Sequence, residues 1–83
     1  MLKLNLYGTS ACHLCDEAKA NILSVLPDSL LSQFSMIDIM EDDFLYSQYS
    51  LSIPVFKIFP DEAQLNWPFS REDIQEILAK YLI

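Results

Sequence analysis

Eighty-three residues, 52% of them hydrophobic and only one a glycine, allow one small domain and exclude disordered or collagen-like chains. Area scaling gives roughly 5,100 Å² exposed when folded against roughly 13,900 Å² for the open chain, enough burial for one modest core. Five basic residues against twelve acidic ones leave a net charge of −7, which disfavours nucleic acid and anionic membrane surfaces as partners.

Leu2 to Tyr7 alternates, with Leu2, Leu4 and Leu6 on one face and Lys3, Asn5 and Tyr7 on the other, and predicts a strand. Gly8, Thr9 and Ser10 turn the chain into a helix over about Cys12 to Leu26. Its apolar stripe is Cys15, Ala18, Ile22, Val25 and Leu26, and Pro27-Asp28 stops it. Phe34 to Met40 reads as a second strand. Asp43 opens a short helix carrying Phe44, Leu45 and Tyr49. Pro54 begins a third strand, Val55 to Phe59, at a position where proline is tolerated. Gln64 to Trp67 predicts a short fourth strand. Ser70 caps a last helix, with Asp73 three residues on and a stripe of Ile74, Ile77, Leu78, Tyr81 and Leu82.

This order makes residues 1–83 a single α/β domain, β-α-β-α-β-β-α. A right-handed crossover makes the first two strands parallel, and the short link makes the last two a hairpin. A small mixed four-stranded sheet with helices on its faces follows. No apolar run is long enough to span a membrane, and no basic-then-apolar leader opens the chain, so the expected location is cytoplasmic.

The two cysteines form one motif, Cys12-His13-Leu14-Cys15, at the strand-to-helix junction. A loop this short gains little from a structural disulfide, so the pair is placed for reaction. A thiolate at Cys12 meets the unpaired N–H groups and positive dipole end of the helix, worth about 0.3–2 kcal/mol. Cys12 is therefore the expected nucleophile. Cys15, nearly one turn on and on the apolar stripe, is the less exposed sulfur that resolves the mixed disulfide. His13 either stabilises the Cys12 thiolate, facing the substrate, or is a surface histidine. A pair kept for packing alone and a metal site are the rival readings. Zinc wants four ligands, and one cysteine pair with one histidine is too few within a chain.

Between Lys19 and Lys57 the chain has no basic residue, yet Asp28, Asp38, Glu41, Asp42 and Asp43 all fall there. Such a stretch is either a solvated acidic face or a docking surface for a basic partner protein.

Leu6-Tyr7-Gly8-Thr9-Ser10-Ala11-Cys12-His13-Leu14-Cys15, then Ile37-Asp38-Ile39, then Ser52-Ile53-Pro54-Val55, resemble the small glutaredoxin-like proteins of the thioredoxin superfamily. The resemblance covers essentially the whole chain. It implies a thioredoxin-like fold and a thiol–disulfide oxidoreductase acting on disulfide-containing proteins or small molecules. It also implies a cis Ile53–Pro54 bond facing the cysteines, with the Ile53 backbone pairing with the substrate chain. A non-catalytic interaction module on the same fold and a dimer bridged by an iron–sulfur cluster through Cys12 are the alternatives.

Several positions depart from the better-known relatives. Ala11 and His13-Leu14 stand where thioredoxin has Trp and Gly-Pro, and Leu6 falls near its buried aspartate. Trp67-Pro68-Phe69-Ser70 replaces the Gly-Gly pair of glutathione-using glutaredoxins, and no lysine lies between Lys3 and Lys19. Arg71 offers one glutathione carboxylate a partner, opposed by Glu72 and Asp73. The dithiol chemistry requires no cofactor, and glutathione is disfavoured.

Overall fold

The computed structural model describes residues 2–81. Leu82, expected on the last buried stripe, lies outside them.

The first strand, β1 (Lys3–Gly8), buries Leu4 and Leu6 fully on the predicted face, and Tyr7 is buried on the other. The first helix, α1 (His13–Val25), sets Cys15, Ala18 and Ile22 on one buried stripe. Cys12 is its N-cap rather than its first helical residue. After Pro27 the chain forms one further turn, α2 (Asp28–Leu31), where no element was expected. Its only buried side chain is Leu30. A single apolar anchor has no periodicity, so the sequence carried no signal for it.

The second strand, β2 (Phe34–Asp38), ends two residues earlier than expected. The Asp38 side chain accepts a hydrogen bond from the Met40 N–H at 2.9 Å and starts a 3₁₀ turn, Ile39–Glu41. A short aspartate that caps its own following backbone competes with strand continuation. Asp42 then caps α3 (Asp43–Tyr49), accepting from the Leu45 N–H at 3.1 Å. The third and fourth strands are β3 (Val55–Phe59) and β4 (Ala63–Asn66). The last helix, α4 (Arg71–Leu78), begins in the capping box expected of Ser70 and Asp73, and a 3₁₀ turn, Ala79–Tyr81, ends it.

The sheet order is β2-β1-β3-β4. β1 and β2 are parallel, while β3 runs antiparallel to both β1 and β4. The register decides what each face carries. Leu4 lies between Phe34 and Ile58, and Leu6 between Met36 and Phe56. This face joins Ala18 and Ile22 of α1 and Ile74 and Leu78 of α4 in the main core. Fully burying each such aliphatic or aromatic side chain is worth about 1.5–3 kcal/mol.

The other face carries Tyr7 between Ile37 and Val55, packed under Ile39, Leu45, Tyr49 and Ile53. The alternation puts Tyr7 on the face of Lys3 and Asn5, which are exposed and half-buried. At Tyr7 itself α3 covers this face, and the ring stacks on that of Tyr49 with centroids 4.7 Å apart and planes 15° apart. Helices therefore lie on both faces, and the fold is thioredoxin-like. Among the described residues, no helix is long and apolar enough to cross a membrane.

Candidate functional site

The carboxyl ends of the parallel strands β1 and β2 and the start of β3 meet at one end of the sheet, because Gly8 pairs with Asp38 and Tyr7 with Val55. The cysteine motif leaves from this end. The Cys12 N–H donates to the Thr9 carbonyl at 3.3 Å and tightens the loop just before the helix. The Cys12 Sγ then accepts from the Cys15 N–H at 3.0 Å, so the sulfur itself caps α1. Cys12 and Cys15 are joined as a disulfide, with Cα atoms 5.2 Å apart.

The two sulfur-bearing residues differ in access. Cys12 is half-buried, while Cys15 is 1% exposed and sits on the stripe with Ala18 and Ile22. Cys12 is thus the more accessible sulfur and Cys15 the shielded one. Room for Cys15 comes from Gly8, where an added Cβ would lie 2.6 Å from the Cys15 Sγ. The backbone there needs no left-handed conformation, so the requirement is one of space.

Of the other sequence-derived site residues, Pro54 is fully buried and its bond to Ile53 is cis. The register sets Pro54 at the same sheet end as Gly8. Ile53 packs on the Tyr7, Ile39 and Val55 cluster, and its N–H donates to the Tyr49 carbonyl at 3.1 Å. Its amide is therefore already engaged within the chain. His13 points to water, its side chain 87% exposed, with Nε2 3.5 Å from a Glu17 carboxylate oxygen. The two side chains lie one turn apart on the exposed surface of α1.

At the start of α4, the Ser70 N–H donates to Asp73 Oδ2 at 2.9 Å, and the Asp73 N–H donates to Ser70 Oγ at 3.1 Å. This helix terminus is already occupied by a carboxylate of the chain's own. Among the described residues, no group of three or more His, Cys, Asp or Glu side chains is arranged to hold a metal ion.

A four-stranded thioredoxin-like sheet with a Cys-x-x-Cys disulfide capping the first long helix defines a class of small redox-type domain. The profile of the glutaredoxin-like domain (DUF836) matches residues 3–79, and the chain belongs to that family.

Among solved structures, the chain is similar to protein XcR50 from X. campestris, at 31% identity and a TM-score of 0.77. That alignment covers 93% of this chain and 96% of the other. It is also similar to protein Ne2328 from Nitrosomonas europaea, at 26% identity and a TM-score of 0.70, over 99% and 92% of the two chains. Thioredoxin 1 from Thermosipho africanus, at 18% identity and a TM-score of 0.71 over 96% and 93%, shares the fold. No curated protein sequence matches.

Proposed function

We propose that the protein is a thiol–disulfide oxidoreductase that reduces disulfides of proteins or small molecules through a mixed disulfide. The observation that carries this is the sulfur of a half-buried Cys12 capping α1 while bonded to a buried Cys15. Once the dithiol is reduced, the same N–H and the helix dipole stabilise a Cys12 thiolate, the form that reacts.

The Cys12 thiolate attacks one substrate sulfur. The Cys12–substrate bond forms, the substrate disulfide breaks, and the departing thiolate takes up a proton. Cys15, deprotonated, then attacks the Cys12 sulfur, closing the intramolecular disulfide and releasing the second substrate thiol after protonation. Two electrons and two protons pass to the substrate. The Ile53 carbonyl beside Pro54 accepts from the substrate backbone and holds it over Cys12.

No cofactor takes part in this cycle. The capping box at Ser70 and Asp73 supports a dithiol partner rather than glutathione as the reductant, since a ligand carboxylate at α4 meets Asp73 first. Such a cycle belongs in a reducing compartment, and we place the protein in the cytoplasm.

An insulin-reduction assay with a dithiol reductant tests the reading. Turnover is expected from the native protein and none from Cys12→Ser. Absence of turnover from the native protein on insulin and on a small disulfide would refute it.

A further inference from the structure

A cavity of about 180 Å³ lies beside the dithiol, walled by Gly8, Thr9 and Ser10 of the loop and by Met36, Ile37 and Asp38 of β2. It adjoins the dithiol through two of its walls: Gly8 abuts Cys15, and the Thr9 carbonyl accepts from the Cys12 N–H at 3.3 Å. Its volume falls below the roughly 300–1,000 Å³ of a small-molecule site, so it suits a single side chain. Ser10 and Met36 on its walls are exposed, so a docked chain can reach it.

The walls have a definite chemistry. Met36 and Ile37 supply apolar surface. Asp38 supplies a carboxylate, one oxygen of which accepts from the Met40 N–H. The other has no partner among the described residues. Apolar walls with one anionic group match an aliphatic stem ending in a cation. Glu41, Asp42 and Asp43 follow directly, with no basic residue between Lys19 and Lys57, so the local field draws in the same sign of charge.

We propose that this cavity is a subsite for a lysine or arginine side chain next to the half-cystine of a peptidyl disulfide substrate. The proposal deepens the thiol–disulfide reading above by giving the preferred substrate a cationic neighbour.

The test uses the full chain, reduced, in single-turnover reactions. Its substrates are short blocked peptides dimerised through one cysteine, with lysine, leucine or glutamate beside it. The second-order rate constant is expected to fall in the order lysine, leucine, glutamate, with lysine ahead of leucine by about fivefold. Asp38→Asn keeps an acceptor for the Met40 N–H but removes the charge, and is expected to bring the lysine-to-leucine ratio close to one. Glu76→Gln, an equal charge change on the exposed face of α4, is expected to keep the ratio.

Equal rates for lysine and leucine in the native protein overturn the proposal. So does a ratio that survives Asp38→Asn, or one lost equally in Glu76→Gln, which assigns it to net charge.

A titration of labelled protein with the lysine peptide carrying serine for cysteine reads binding without chemistry. Amide shifts are expected at Thr9, Ile37 and Asp38, and their absence counts against the subsite. If no peptide is reduced but these shifts appear, the redox reading fails and the subsite stands.

Discussion

Gly8 and Cys15 occupy the same space: a Cβ on Gly8 would sit 2.6 Å from the Cys15 sulfur and 3.1 Å from its Cβ. The buried thiol and the end of β1 can approach this closely only because residue 8 has no side chain. Gly8→Ala is expected to destabilise the disulfide form by about 1–3 kcal/mol, the usual cost of overpacking. The dithiol form is expected to lose less, because an unbonded Cys15 sulfur can change rotamer. Urea unfolding of both redox forms checks this, and equal losses would show that rotation gives no relief.

Alkylation should separate the two cysteines. Mass mapping of the reduced protein at neutral pH is expected to find Cys12 labelled before Cys15, since Cys15 is buried and Cys12 is half-exposed at the helix start. Cys15→Ser is expected to accumulate a mixed disulfide on Cys12 with a peptide disulfide. Earlier labelling of Cys15 would reverse the assigned roles.

Glutathione should serve poorly. Asp73 already fills the N-terminus of α4, and Glu72 adds a second negative charge there. Each such charge is worth about 0.3–1 kcal/mol near a helix end, so glutathione-coupled turnover is expected to be about tenfold slower than turnover with a dithiol protein. Side-by-side kinetics decide. Saturable turnover at low glutathione would show that the capping box yields to the ligand.

The stacked pair Tyr7 and Tyr49 ties α3 to the sheet directly beneath the site, and the Lys57 ammonium lies 3.4 Å from the Tyr49 hydroxyl. Tyr49→Ala is expected to cost about 2–4 kcal/mol by removing both the stack and the burial. Tyr49→Phe keeps the ring and is expected to cost about 1 kcal/mol or less. Burial opposes the charge on Lys57, yet the Tyr49 hydroxyl and Glu62 outweigh it and hold its pKa above the ordinary lysine value. Tyr49→Phe should therefore lower that pKa, which a titration followed by NMR reads.

Acid should loosen the C-terminal turn. The Tyr81 hydroxyl donates to Asp61 at 2.6 Å and Lys80 lies 3.0 Å from the same oxygen. These two, the hydroxyl first, hold the Asp61 carboxyl below its ordinary value. A depressed carboxyl contributes stability above its unfolded pKa and loses it as pH falls through the folded one. Amide exchange at Ala79 and Lys80 is therefore expected to gain protection above the ordinary carboxylate range and to lose it below. Asp61→Asn should remove this pH dependence.

The sequence by itself determined the periodic and capped elements. Leu4 and Leu6, the stripe through Cys15, Ala18 and Ile22, the box at Ser70 and Asp73, and the dithiol at a strand-to-helix junction depend on residues a few positions apart. Alternation, helical spacing and capping are local, so they can be read from local sequence.

What the chain could not reveal depends on which segments become neighbours. Tyr7 shares its strand face with Lys3 and Asn5, and only α3, which brings Tyr49, buries it. Ile39 and Met40 read as strand, but the Asp38 side chain bonds the Met40 N–H and turns them into a 3₁₀ turn. The pairing of β3 beside β1 brought Pro54 to the end of the sheet that holds Gly8, and the pairing of β1 with β2 set Asp38 beside the loop of Cys12. Burial and register are properties of the assembled sheet, since each strand's side chains take their surroundings from strands and helices far away in sequence.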